Sequence, residues 1–303
     1  MQNFTLKFKV IKDISEAKKV WNIFSSRETI YDEWEFRYCF YKYFNYELFF
    51  YIGYCNDEPI GLLPLQFNTD KKCLEYFGDY EGWMDQNKLY IKNGFEKNIP
   101  EFYNQISSST EINNLIGQDP FTISLPLQEY TYFLPLDGLH TCFDFFLKYH
   151  SSKKAKNFKS VIKKVEDAGV RVATGSVDDL ETLFSLNIKS FGNDSSFNLP
   201  FRKEIFKDLS ELSLSKAHIL KFILNSQVVG VTFGLLYKNT YIALNAGIEK
   251  NLPFRLSSYS TFKKIDAAIE LGANLYDVRG GAYGWKDEWH FKKIPQYKFE
   301  KKI

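Results

Sequence analysis

The sequence is short of the residues that most often announce a chemistry. Its four cysteines, Cys39, Cys55, Cys73 and Cys142, are scattered and form no C-x-x-C. Neither a disulfide framework nor a thiolate metal site is suggested, and lone thiols fit a reducing compartment. The four histidines, His140, His150, His218 and His290, show no H-x-x-x-H or H-E-x-x-H spacing, which argues against a zinc hydrolase. A G-x-S-x-G elbow, a P-loop and a dinucleotide fingerprint are all missing. No apolar run approaches the roughly 18 residues that span a bilayer; "YELFFYIGY" is too short. The opening "MQNFTLKFKVIKD" alternates like a strand and lacks the make-up of a secretion signal. The net charge of +2 is no nucleic-acid signature by itself. The expectation is a cytoplasmic protein with no membrane insertion and no metal.

What is present is apolar and aromatic: 303 residues, 45% hydrophobic and 18% aromatic, enough for roughly two domains of about 150 residues. Residues 4–10 alternate as a strand. From Ser15, a candidate N-cap, Ala17, Val20, Trp21 and Phe24 share a helical face. A second, very aromatic helix is predicted over 32–44. Strands follow at 47–55 and 59–68 around an Asn56-Asp57-Glu58 turn, with another at 73–79. A helix near 97–107 and strands near 121–136 complete the first half, which begins β-α-α-β-β-β.

Seven lysines lie between Lys148 and Lys164 with no acid among them. Phe158, Val161, Ile162 and Val165 recur there at helical spacing, and Gly169 stops the helix. Two readings stay open. One is a solvated linker helix; the other is a surface facing a phosphate-bearing substrate or an RNA. The grammar of the first half then returns: strand 170–174, helices 177–191 and 201–212, strands 218–224, 228–237 and 240–248, a helix from Leu256 to Gly272, and strand 274–278. "FFYIGYCNDEPIGLLPL" and "ILKFILNSQVVGVTFGLL" match as apolar strand, polar turn and glycine-bearing apolar strand. This weak internal repeat suggests two copies of one fold.

"YDVRGGAYGWKDEWHF", residues 276–291, is the most unusual stretch. A buried strand breaks into Gly280-Gly281, which permit positive φ and close backbone approach, and several aromatics follow. It reads as the floor of a pocket.

The order of elements resembles the GNAT acyltransferase fold. The chain is similar to tandem-GNAT proteins related to the CelD-like acetyltransferases and, beyond them, to the Fem peptidyltransferases. The residues that carry the likeness are Trp21 with Trp34, "PIGLLPLQF" (59–67), "FGDYEGWMD" (77–85), the lysine-rich 153–164 helix, "VVGVTFGLLYKNTYIALNAGIEK" (228–250) and "AAIELGANLYDVRGGAYGWKDEW" (267–289).

The resemblance implies an α+β fold of two GNAT-like lobes, 1–147 and 148–303. Each lobe is a mixed, mainly antiparallel sheet flanked by helices, and the second is the active one. It implies that strand 240–248 splays from strand 274–278. The gap would admit the thioester arm of acyl-CoA, beside Ala246 and Gly247, or the aminoacyl end of a tRNA. The family's glycine-rich pyrophosphate loop corresponds here to "NLPFRLSSY" (251–259). Its glycines are absent, leaving Arg255, Ser257 and Ser258 for phosphate contact and leaving the CoA donor in question.

In the place of the family's Tyr-Lys pair stands Gly284-Trp285-Lys286. Lys286 is the candidate oxyanion stabiliser, or else a surface lysine paired with Asp287 or Glu288. Tyr283 is a candidate acid for the leaving group. Asp277 is a candidate base for the attacking amine, or a carboxylate holding a backbone group. Trp285, Gly280 and Gly281 would line the substrate, unless the tryptophan is core. In the first lobe Asp79 is a second candidate base, with Tyr80, Glu81 and Asp85 beside it, or the cluster is a polar turn. The expected reaction is acyl transfer from acyl-CoA to a small-molecule or peptide amine. The alternatives are aminoacyl transfer from tRNA and a binding module without catalysis.

Overall fold

The computed structural model describes residues 6–80, 82–281 and 284–303. They divide into two compact units. The first runs to Thr131 and takes in Gly280, Gly281 and Lys293–Ile303; the second comprises Tyr132–Arg279 and 284–292. The anticipated division at 147/148 falls inside a helix of the second unit (Cys142–Tyr149), and the last residues of the chain return to the first unit.

In the first unit the elements are β1 (Lys7–Ile11), α1 (Ile14–Phe24), α2 (Trp34–Tyr41), β2 (Glu47–Cys55), β3 (Glu58–Asn68), β4 (Cys73–Tyr76), β5 (Tyr90–Ile91), α3 (Ile99–Asn104), β6 (Thr110–Leu115), α4 (Pro120–Ser124) and the start of β7 (Leu127–Pro135). Helix α1 is capped by Asp13, whose Oδ1 accepts the Glu16 N–H at 2.8 Å. The cap is therefore Asp13 and not Ser15, since an aspartate two residues earlier meets the first orphan N–H groups. The hairpin β2–β3 turns on Asn56 and Asp57, both at positive φ (49° and 63°), the type I′ geometry that suits the strand twist. Trp21 and Trp34 meet edge to face (6.1 Å) over Phe50 and Phe77. That core fixes the helices on the sheet.

The second unit holds the rest of β7, α5 (Cys142–Tyr149), α6 (Ser152–Asp167), β8 (Arg171–Thr174), α7 (Asp179–Phe191), α8 (Pro200–Ser210), β9 (Lys216–Leu224), β10 (Gln227–Tyr237), β11 (Thr240–Ile248), α9 (Leu256–Glu270), β12 (Leu275–Arg279) and the short α10 (Trp285–Glu288). A final strand, β13 (Lys292–Lys301), pairs antiparallel with β6 in the first unit's sheet.

Within the first unit the strand order is β1-β2-β3-β4-β6-β13, and within the second β7-β12-β11-β10-β9-β8. Each is antiparallel except for one parallel pair, β4–β6 and β11–β12 respectively. The second hairpin, β9–β10, turns on Asn225 and Ser226, again both at positive φ (49° and 64°), so the internal repeat is a repeat of turn geometry as well as of pattern. Both units are sheet flanked by helices, as expected. Strands β6 and β13 were not anticipated, and 120–124 is helix where strand was expected, because Asp119 caps the Thr122 N–H and Pro120 opens the turn.

Candidate functional site

Parallel pairing between β11 and β12 is confined to Thr240–Ile242 against Leu275–Asp277, although β11 continues to Ile248. Beyond Ile242 the two strands part. The register against β10 slips at the same place: Gly234 faces Ala243 and Phe233 faces Asn245, leaving Leu244 as a bulge residue. A bulge bends its strand and raises the local twist, which is the physical means of opening a fork here.

Glu249 donates its N–H to the Val229 carbonyl. By the two-residue alternation of a ladder, Ala246 and Ile248 then turn their backbone groups to the open edge. Side chains take the place of a neighbouring strand there. The Ala246 N–H goes to Asn245 Oδ1 (2.7 Å), its carbonyl accepts from Asn187 Nδ2 (2.9 Å), and the Ile248 carbonyl accepts from Ser190 Oγ (2.6 Å). Asn187 is buried on α7 and is itself held by Ser195 Oγ (2.7 Å). Gly247 sits against α7, where a Cβ would lie 2.1 Å from the Leu183 carbonyl oxygen.

Strand β12 ends in a second irregularity. Its register with β7 slips between Asp277 and Arg279, and Arg279 adopts φ 61°, a conformation rare outside glycine and asparagine. Two polar groups hold it. Asp277 Oδ1 accepts the Arg279 N–H (2.7 Å), and the Arg279 carbonyl accepts from Lys286 Nζ (2.9 Å). Lys286 is 2% exposed, with its ammonium 5.1 Å from the Tyr132 ring centroid. It is thus an interior cation and not a surface lysine. Burying an ammonium is costly unless it is engaged, and here it is engaged by the Arg279 carbonyl.

Residues 152–287 match the sequence profile of the acetyltransferase (GNAT) domain family. This stretch, from α6 to α10, is similar to a GNAT domain and makes up a little under half of the chain. Several solved structures share the fold over nearly the full length. They include FemX (TM-score 0.61, 10% identity, 97% of each chain). A tandem GNAT protein from the clavulanic acid biosynthesis pathway aligns with TM-score 0.55, 9% identity and 98% of each chain. The L-PGS of Bacillus licheniformis aligns with TM-score 0.56, 11% identity, 89% of this chain and 92% of that one. At these identities the likeness shows the fold, a tandem of GNAT units. No curated protein matches the sequence.

Within the GNAT domain, the first turn of α9 carries the residues singled out for phosphate. Arg255 is the N-cap residue without a side-chain cap bond, and Arg255 and Ser257 are exposed while Ser258 is half-buried. An uncapped helix start offers N–H groups and a partial positive charge to an anion. Trp285 does not stand alone as a pocket wall. It packs edge to face on Trp289 (5.7 Å) and Phe291 (5.8 Å), part of an aromatic cluster with Phe145, Phe146 and Phe158. Much of the aromatic content of 276–291 is therefore core. Tyr283 and Glu81 lie outside the described residues.

In the first unit the candidates are engaged by protein groups of that unit. Asp79 is 3% exposed. It accepts the Met84 N–H (3.0 Å) and Asn87 Nδ2 (3.3 Å), and burial pushes its carboxyl up to about 6. Tyr80 stacks on Phe44 at 4.5 Å. Asp85 and Glu129 accept the N–H groups of Gly280 (3.3 Å) and Gly281 (2.8 Å). The space that a Cβ on Gly280 would need is held by oxygens of Asp85, Glu129 and Gln296, at 2.8, 3.1 and 3.3 Å. The close approach foreseen at this glycine is thus made by protein side chains. Among the described residues no group of three or more His, Cys, Asp or Glu could hold a metal, and no helix is long and apolar enough to cross a membrane.

Two residues of the GNAT domain escaped the sequence reading. Asn187 lies on the same helical face as Leu180, Leu183 and Phe184, a polar residue on an apolar stripe, and that pattern was a usable signal. Lys264 lies on α9 between the buried Ser260 and Ala268, one turn from each. Burial first, and then the charge of Lys286, pull its ammonium down to about 8. A lysine whose folded pKa is depressed costs stability while charged, and that cost is relieved as pH rises from the folded value toward the unfolded one. The gap from the ordinary 10.5 corresponds to about 3 kcal/mol for a wholly dry group. Lys264 keeps part of its surface in water, so about 1–2 kcal/mol is expected. Lys264→Met should accordingly raise the unfolding midpoint at pH 7, and the wild type should close on the variant as pH is raised from 8 to 10. Denaturant melts of both proteins across that range check it; a constant difference would refute the assignment.

Proposed function

We propose that the chain is an N-acyltransferase that moves an acyl group from an acyl-CoA thioester to an amine, in the fork between β11 and β12. The observation that carries the reading is the parting of these strands after Ile242 and Asp277, with the bulge at Leu244, inside the stretch that matches the GNAT family. An extended, amide-bearing arm can lie along a bare strand edge by strand addition. The polar groups that now satisfy that edge, Asn187 and Ser190, would orient it.

The phosphates of CoA would meet the α9 start at Arg255, Ser257 and Ser258, with the arm passing Ala246 and Gly247. The neutral amine attacks the thioester carbonyl, a C–N bond forms, the C–S bond breaks and the thiolate leaves. Lys286 supplies positive charge for the oxyanion and Asp277 is the base candidate on the same strand end. Tyr283 would return a proton to the thiolate. Asp79, already engaged by Met84 and Asn87, serves the first unit's structure in this reading. The acceptor is a small-molecule or peptide amine, and the active lobe is that of residues 148–303.

One observation favours a second reading. The stretch before α9, "NLPFR", has no glycine, so backbone cannot approach a pyrophosphate as closely as glycine would allow. Aminoacyl-tRNA as donor relaxes that demand, and the FemX and L-PGS likenesses are compatible with it. Thermal melts with acyl-CoA and with aminoacyl-tRNA separate the two. A ligand at a hundred times its Kd stabilises by about 2.7 kcal/mol. Stabilisation by acyl-CoA is expected. Stabilisation by aminoacyl-tRNA alone, weakening steeply with salt, would replace the first reading with the second.

A further inference from the structure

Lysines with a carboxylate within 4 Å are spread through the rest of the chain, among them Lys7, Lys9, Lys12, Lys18, Lys71, Lys88, Lys92, Lys189, Lys207, Lys221, Lys263 and Lys298. The seven from Lys148 to Lys164 have no ion pair among the described residues, and the acids Glu166 and Asp167 come only in the last turn of α6.

Helix geometry sorts these seven. At 100° per residue, Lys153, Lys156, Lys159, Lys163 and Lys164 occupy a sector about 140° wide. Opposite it lie Ala155, Phe158, Ile162 and Val165, buried or half-buried against the unit. All five of these lysines are exposed. Lys154 lies outside the sector and gives its ammonium to the Glu288 carbonyl. The helix is anchored by its apolar face, and its basic face carries no ion pair among the described residues, with Lys159 over the Phe143 ring of α5 (5.8 Å).

At the N-terminal end of this face α5 finishes in exposed apolar side chains, Leu147 (59%) and Tyr149 (49%), on either side of Lys148. Unpaired charge beside exposed apolar tips is the composition of a surface that meets a bilayer: ammonium groups at the headgroup phosphates, apolar tips at the acyl boundary. Two features favour lipid over RNA. An aliphatic side chain such as Leu147 gains nothing from a phosphate backbone or a base face, whereas it gains by leaving water for the acyl boundary. And every cation from 143 to 170 is lysine, a point charge suited to a diffuse negative surface and without the planar fork that reads individual phosphates or bases.

We propose that the α5–α6 face is a peripheral docking surface for an anionic lipid bilayer, which would bring the GNAT domain to substrates at a membrane without inserting a helix. The full-length chain should co-sediment with vesicles of equal parts phosphatidylglycerol and phosphatidylcholine, not with pure phosphatidylcholine, and should be released as salt is added. Lys156→Gln/Lys159→Gln/Lys163→Gln removes three charges that have no ion pair among the described residues, Lys159 having a ring contact with Phe143 (5.8 Å). Its partitioning should fall about a hundred-fold, about five-fold per lysine, with the unfolding midpoint unchanged. Leu147→Ser should weaken vesicle binding several-fold at constant charge. The proposal is overturned by equal binding to both vesicle types or by no binding to the anionic vesicles at low salt. It is also overturned if a tRNA-sized RNA binds more tightly than the vesicles while Leu147→Ser leaves both unaffected, which would make the face an RNA surface.

Discussion

Replacing Lys286 by methionine is expected to lower acyl transfer by about 10²–10³-fold, the usual cost of losing one well-placed charge or donor at a developing oxyanion. The expectation rests on where the ammonium is. It is 2% exposed, above the Tyr132 ring and bonded to the Arg279 carbonyl, so it acts in a medium where a charge is worth far more than in water. Methionine keeps the length of the side chain and its packing, but it strips the Arg279 carbonyl of a donor. A destabilisation of about 1–3 kcal/mol should accompany the loss of rate.

The two consequences can be told apart. A structural role would weaken donor binding and lower the unfolding midpoint in proportion to the rate. A role at the oxyanion leaves the acyl-CoA dissociation constant near the wild-type value while thiol release stops. Lys286→Arg, which restores charge with different geometry, should recover the midpoint more than the rate. Lys286→Met should also act on Lys264. With one of the two causes of its depressed pKa removed, the Lys264 ammonium should titrate at a higher pH, which NMR of the lysine side chain reads directly. Unchanged turnover in Lys286→Met would end the catalytic assignment.

How much of this was legible in the sequence differs element by element. The two hairpins were, because Asn56-Asp57 and Asn225-Ser226 are turn residues that tolerate positive φ between alternating strands. Helix α9 was too, from the spacing of Leu256, Tyr259, Phe262 and Ile265 and the stop at Gly272. Strand β13 was hidden: "KKIPQYKFEK" is rich in lysine and carries Pro295, and both argue against a strand when no partner is known. Strand β6, "TEINNL", is polar enough to pass for loop.

Lys286 could be nominated only through the family resemblance, which sets it in the place of the Tyr-Lys pair, and its burial could not be foreseen, since nothing local separates an interior lysine from one paired with Asp287. Asn187 and Lys264 matter because of what lies across from them. Where the β11–β12 ladder ends is a matter of register, the last pair being Ile242 with Asp277, and register between strands far apart in sequence is set by tertiary packing.

Gly247→Ala should cost about 3 kcal/mol or more and unfold the second unit first, because no side chain can move aside to admit the new methyl group. A Cβ at this position would stand 2.1 Å from the Leu183 carbonyl oxygen, 2.9 Å from its carbonyl carbon and 3.0 Å from its Cα. All three atoms are backbone of α7, in the helix interior, so relief requires translating the helix. That helix is tied down: Leu180, Leu183 and Phe184 are fully buried beneath it, and Asn187 and Ser190 are bonded to the β11 edge. Shifting α7 would therefore break the polar contacts that satisfy the open edge as well as the core. Hydrogen exchange should show the loss concentrated in α7 and β11, with the amides of β2 and β3 in the first unit unaffected. Asn187→Ala is the informative companion. It removes one edge contact without moving the helix, so it should cost about 1–2 kcal/mol and raise the KM for the thioester more than it lowers kcat. If Gly247→Ala instead folds with wild-type stability, the close seating of α7 on β11, and the fork wall built upon it, is wrong.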